Sequence, residues 1–194
     1  MIYAYHAIFG TYGFWLPNDP RGSWSEFVAS YELYLRGRAS TVSTRSSLAH
    51  VEHNRSLRLA AKKTLLRPEV NFSGIQARAV GRGFAENIKH GHITVWACSI
   101  MPQHVHMVIA RHASEIETLV NLFKGEATKR LIEEEIHPFN GQAPCWARRG
   151  WNCFLDSEEA ILQAIRYVEE NPLKEGKRRQ RWPFVTKYPN RYHV

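Results

Sequence analysis

Two runs of strand-forming residues, His92 to Ile100 and His104 to Arg111, are separated only by Met101-Pro102-Gln103. A connector this short cannot carry the chain across a sheet, so the two runs should lie side by side and antiparallel. Residues two apart in an extended strand share a face. His104 and His106 therefore point one way, and Val105, Met107 and Ile109 the other. The apolar face needs helices to cover it. The histidine face is then expected to stay free to bind a metal and a phosphate.

The remaining elements follow from periodicity and punctuation. Tyr3 to Tyr12, rich in β-branched and aromatic residues and stopped by Gly13, reads as a first strand. Ile75, Ala79, Phe84 and Ile88 have helical spacing over Gly74 to Lys89, although Gly81 and Gly83 each weaken that helix by about 1 kcal/mol relative to alanine. After the hairpin, Ser114 and Glu117 have capping-box spacing. They precede a stripe of Ile116, Leu119, Val120, Phe123, Ala127 and Leu131, which predicts a helix ending near Ile136. Trp151 to Leu155 reads as a short strand, and Asp156 with Glu159 opens a last helix that Pro172 should end.

The order β-α-β-β-α-β-α predicts an α+β fold. It matches a ferredoxin-like antiparallel sheet (βαββαβ) with helices packed on one face and an extra C-terminal helix. Residues 14–72, with a Pro/Gly/Asp-rich opening, a Ser/Thr/Arg segment around 38–47 and a basic helical candidate from Leu48 to Leu66, read as an insertion. One domain over 1–176 is thus expected, followed by a basic, aromatic tail over 177–194.

Charge narrows the function. The 26 Lys and Arg outnumber 18 Asp and Glu, for a formal charge of +8, which favours a polyanionic partner. No apolar run approaches the roughly 20 residues that span a bilayer, and the N-terminus lacks a signal pattern, so a cytoplasmic protein without a membrane partner is expected. Cys98, Cys145 and Cys153 are odd in number and contain no Cys-x-x-Cys pair, and they read as reduced thiols.

A His-x-His spacing is common by chance in a chain with ten histidines. His90-Gly91-His92 has the same spacing but straddles a helix end, where nothing aligns the rings, and it reads as incidental. The second chemical feature is the last helix. Ile161, Leu162, Ile165 and Val168 form its buried stripe, while Gln163, Tyr167 and Asn171 recur every four residues along another flank. That line joins a phenol to two carboxamides.

Met101-Pro102-Gln103-His104-Val105-His106, followed much later by Tyr167-Val168-Glu169-Glu170-Asn171-Pro172, resembles the single-tyrosine HUH transposases of the IS200-like kind, above all the REP-associated tyrosine transposases. In that family a proline-containing turn leads into a His-hydrophobic-His strand, and the nucleophilic tyrosine precedes an Asn-Pro pair by four residues. Leu122 to Thr128 resembles the family helix in which a lysine, here Lys124, faces DNA, and Trp151 stands where a tryptophan usually precedes the last strand. The resemblance covers residues 1–12 and about 73–176. Gln103 replaces the family's asparagine, and the 14–72 insertion exceeds the usual connection.

A free tyrosine, with a pKa near 10, is a poor nucleophile at neutral pH without help from a base or a cation. A divalent ion held by His104 and His106, with Asn171 or Gln163 as a further oxygen ligand, would polarise a phosphate, and Mg²⁺ or Mn²⁺ suits that donor set better than Zn²⁺. The resemblance implies attack by Tyr167 on single-stranded or hairpin DNA, leaving a 5′-phosphotyrosine and a 3′-hydroxyl. Lys174, Lys177, Arg178, Arg179 and Arg181 would track phosphates while Trp182 stacks on unpaired bases. The expected state is a monomer, with a dimer as the alternative. Two rivals remain: a single-stranded nucleic-acid-binding module on a ferredoxin-like sheet, which would ordinarily carry an RNA-recognition signature absent here, and a metal-dependent hydrolase that uses water in place of Tyr167.

Overall fold

The computed structural model describes residues 1–14 and 55–189, apart from the side chains of Arg55, Leu57, Arg58 and Arg149. Most of the insertion, including the segment at 38–47 and the start of its basic helix, lies outside the described residues, as does the end of the tail. Within them the chain runs β1 (Ala4–Thr11), α1 (Arg55–Lys63), α2 (Gly74–Gly91), β2 (Val95–Ile100), β3 (His104–Ala110), α3 (Ile116–Glu133), β4 (Trp146–Leu155) and α4 (Glu158–Lys174). The sheet order is β2-β3-β1-β4, with every neighbour antiparallel. This is the ferredoxin-like arrangement, in which β3 inserts between the two strands joined by α2.

Each face of the sheet has its own cover. Tyr5, Ala7 and Phe9 of β1 and Val105, Met107 and Ile109 of β3 join Ala79, Val80 and Phe84 of α2 and Leu119, Phe123 and Ala127 of α3 in the main core. The Phe84 and Phe123 rings meet edge-on at 5.3 Å. At Gly83 an added Cβ would lie 2.6 Å from the Glu126 carbonyl oxygen and 2.7 Å from the Ala127 Cα. The glycine that weakens α2 as a helix is thus what lets α3 touch its backbone.

The opposite face carries a smaller cluster in which Ala4, Ala97, Val108 and Leu155 pack on Ile161, Ala164 and Val168 of α4. The face expected to stay free is therefore partly roofed by α4, because its apolar stripe must also be buried. His104 and His106 are buried as a result.

Several boundaries differ from the sequence expectation for local reasons. His92 takes the left-handed conformation (φ 51°) as the C-cap of α2, so β2 starts only at Val95. Ser73 and Gln76 close a capping box at the other end of that helix. The box expected at Ser114 does not form. Glu115 is the N-cap of α3 without a side-chain bond, and Glu117 instead accepts from Asn152 at 2.9 Å. Ser157, not Asp156, caps α4, accepting from the Ala160 amide at 3.2 Å. Pro172 lies inside the last turn of α4 rather than ending it. β4 begins at Trp146, five residues before the expected strand.

The tail is part of the fold over residues 180–188. The Gln180 carboxamide accepts from the Ile100 amide and donates to the Ile100 carbonyl, both at 2.8 Å, as a neighbouring strand would. Val185 bridges Val95 in parallel, and the Thr186 amide donates to the Val95 carbonyl at 2.9 Å. Trp182 presses on Gly81, where any Cβ would collide with its ring, and stacks on Phe184. The ring of Trp182, the expected base-stacking platform, is half-buried in intramolecular packing.

Candidate active site

The register of β1 and β3 pairs His6 with Val108 and Ile8 with His106, so His6 and His106 are diagonal neighbours on one face. His104 sits at the start of β3, beyond a turn held from both sides. The Met101 amide donates to the His104 carbonyl, and the Thr11 amide to the Gln103 carbonyl, each at 2.8 Å. The Thr11 hydroxyl lies 2.7 Å from the Val70 carbonyl and 3.0 Å from that of Gln103. Phe14 stacks on the His104 ring at 4.7 Å.

Three imidazoles thus cluster where the sequence suggested two. The His104 and His106 rings are 4.9 Å apart, and His6 Nε2 lies 3.1 Å from His106 Nδ1. His6 escaped the sequence reading because its strand was legible but the register was not. The period-2 alternation of β1, with Tyr5, Ala7 and Phe9 on the core side, does place His6 on the histidine face, but nothing in the sequence says which β3 residue it meets.

α4 supplies the rest. The Tyr167 ring lies 5.5 Å from that of His106 and 5.7 Å from that of His6, both edge-on, and keeps 40% of its surface exposed, enough to meet a substrate. One turn later, Asn171 Nδ2 is 3.4 Å from His104 Nε2, and a half-turn of this amide would bring Oδ1 there instead. Lys174 Nζ stands 4.3 Å from the centre of the Tyr167 ring. Gln163 is exposed and donates to Glu159 at 3.1 Å. An open cleft of about 230 Å³, lined by Asn71, Pro102, Gln103, His104 and Glu175, leads to the cluster.

Burial sets the charge state. It pushes His6 down to about 4. It also holds His106 well below the usual imidazole range, helped by the neighbouring charges of His104, His6 and Lys174. Both rings are neutral at neutral pH, the form that ligates a cation. Burial raises the Tyr167 phenol, so the site by itself does not generate a phenolate. Neutral imidazoles and a carboxamide fit a divalent cation, although no group of three His, Cys, Asp or Glu among the described residues is arranged to hold one.

Lys124 is elsewhere. It lies in α3, on the far side of the sheet, 7% exposed, with Nζ donating to the Ala147 carbonyl at 2.9 Å and lying 5.7 Å from the centre of the Phe9 ring. The expectation that it faces DNA is corrected, since it lies between Phe123 and Ala127 on the buried side of the helix. Lys174, Lys177, Arg178, Arg179 and Arg181 are exposed, and Lys177 pairs with Glu175 at 3.0 Å. His90 and His92 are exposed and lie outside the cluster. Cys98, Cys145 and Cys153 form no disulfide, and no helix among the described residues is long and apolar enough to cross a membrane.

The site is thus built on a ferredoxin-like sheet whose histidine strand is roofed by the helix of Tyr167. The family described as "Transposase IS200 like" matches residues 67–171, more than half of the chain, and the protein belongs to that family. Among solved structures, the chain is similar to a REP-associated tyrosine transposase bound to a REP hairpin, at 17% identity and a TM-score of 0.47, over 62% of this chain and 70% of the other. It is also similar to a candidate transposase from Deinococcus radiodurans R1, at 12% identity and a TM-score of 0.42, over 93% and 94% of the two chains. No curated protein matches.

Proposed function

We propose that this IS200-like transposase cleaves and rejoins single-stranded DNA, acting on hairpin ends, through a covalent bond to Tyr167. The observation that carries the reading is the convergence on one sheet face of the partly exposed Tyr167 ring, the buried His104 and His106, and Asn171. Tyr167 Oη would attack the scissile phosphorus, forming a tyrosyl ester to the 5′-phosphate as the 3′-oxygen leaves and takes up a proton. A 3′-hydroxyl on another strand reverses the step, so the ester conserves the energy needed for joining and no nucleotide cofactor is required.

His104, His106 and Asn171 would hold Mg²⁺ or Mn²⁺. Of the two amides weighed, Asn171 is the one beside an imidazole, whereas Gln163 bonds Glu159. When bound, the cation would supply Lewis-acid polarisation of the phosphate oxygens. Lys174 would place positive charge beside the phenol, and Lys177, Arg178, Arg179 and Arg181 would draw the backbone of the DNA toward the site. All these groups come from one chain, so a monomer would suffice.

The test incubates the full-length protein with single-stranded hairpin DNA from the sequence flanking its own gene, with Mg²⁺, Mn²⁺ or a chelator, and looks for an adduct that survives denaturation. The adduct should need the metal and should map to Tyr167. Tyr167→Phe and His104→Ala should abolish it while keeping DNA binding. A nucleotide on another tyrosine, or an adduct from Tyr167→Phe, would overturn the reading.

A further inference from the structure

His6 lies outside the histidine pair of β3, yet its ring is in direct contact with that of His106. We propose that His6 is a positioning residue: by accepting a hydrogen bond from His106 Nδ1–H, it fixes the tautomer of His106 and leaves Nε2 as the lone pair offered to the divalent cation. The inference rests on the reading that His106 helps to hold that cation.

The argument starts from the 3.1 Å separation of His6 Nε2 and His106 Nδ1. Between two ring nitrogens at that distance there is one proton, carried by one of them. If His6 carried it, a neutral His106 would have its own proton on Nε2 and could offer no lone pair there. If His106 Nδ1 carries it, Nε2 is bare. Both rings are buried, His6 at 8% and His106 at 5% exposure, so a doubly protonated imidazolium is disfavoured as a third arrangement. A bound cation selects the second arrangement, and an acceptor at Nδ1 favours it in advance.

The second ring is itself held in place. His6 is fixed on β1 opposite Val108, with Tyr167 edge-on at 5.7 Å and Trp151 at 6.4 Å. Metal-binding histidines commonly have such a partner on the other ring nitrogen, usually a carboxylate or a carbonyl. A neutral imidazole in that place orients His106 without adding negative charge next to the approaching phosphate.

The test uses ¹⁵N-labelled full-length protein. Long-range ¹H–¹⁵N correlation spectra of the imidazoles, recorded without metal, report which His106 nitrogen is protonated, and electron paramagnetic resonance of free Mn²⁺ measures affinity. Wild type should show the Nδ1–H form. His6→Phe keeps a ring but no acceptor, and should shift His106 toward the Nε2–H form and weaken Mn²⁺ binding about 10- to 100-fold. His6→Gln, whose Oε1 can accept, should restore both to within a few-fold. An Nε2–H His106 in wild type, or Mn²⁺ binding unchanged in His6→Phe, overturns the proposal. If His6→Phe does not fold, the wild-type tautomer and the His6→Gln affinity decide it. Neither readout requires DNA cleavage, so a protein that passes both and forms no adduct would refute the transposition chemistry and leave the role of His6 standing.

Discussion

Replacing Lys124 by methionine should remove a pH dependence from the stability of the protein. Burial pulls the Lys124 ammonium from 10.5 down to about 8, and the side chain is 7% exposed with one carbonyl partner. At about 1.4 kcal/mol per pH unit, a fall from 10.5 to about 8 corresponds to a burial cost on the order of 3 kcal/mol when the group is charged. Below pH 8 both folded and unfolded chains carry the proton, and the folded state bears the full cost. Between about 8 and 10.5 the folded chain sheds the proton while the unfolded chain keeps it, so stability rises with pH, and above 10.5 the cost is gone.

Wild type should therefore gain about 3 kcal/mol across that window relative to Lys124→Met, all other titrations being shared. At pH 7 the variant should be level with wild type or more stable by up to about 2 kcal/mol, since loss of the bond to the Ala147 carbonyl offsets part of the relief. Urea unfolding of both proteins at pH 7, 8, 9 and 10, followed by tryptophan fluorescence, measures the difference. Parallel curves would refute the reasoning. So would a DNA-binding salt slope reduced by about 0.7 in the variant, the mark of a lost phosphate contact on a single strand.

Gly83→Ala should destabilise by up to about 2 kcal/mol, the balance of about 1–3 kcal/mol of overpacking against the α3 backbone and roughly 1 kcal/mol of gained helix propensity. Gly125→Ala, with nothing within 4 Å of its added Cβ, should stabilise; urea midpoints for the pair check both signs. Substituting Arg178, Arg179 and Arg181 by glutamine should weaken single-strand binding and lower its salt slope by up to about 2, with unchanged unfolding, because Gln180 and Trp182 still dock the tail. An unaltered slope would make these arginines bystanders.

What could be read in the sequence was what depends on short-range pattern. The Met101-Pro102-Gln103 connector gave the hairpin, alternation put His104 and His106 on one face, and helical spacing put Tyr167 and Asn171 one turn apart on α4. Gln163 has the same spacing but lies a turn too early to reach the histidines. His6 was hidden because strand register is a tertiary property. Lys124 misled because its helix resembles the family's, while the burial of a single lysine depends on how α3 is rolled against β4. The docking of the tail was not legible because Gln180, Trp182 and Val185 sit among arginines and lysines. Their partners, Ile100, Gly81 and Val95, are some 80 to 100 residues away in the chain.

A four-stranded open sheet has two sides from which it can grow. Here Gln180 and Thr186 occupy both ends of the outer margin of β2. A second molecule cannot add a strand along β2 without displacing the tail. The docked tail thus guards that margin against edge-to-edge growth, a role separate from any contact with DNA.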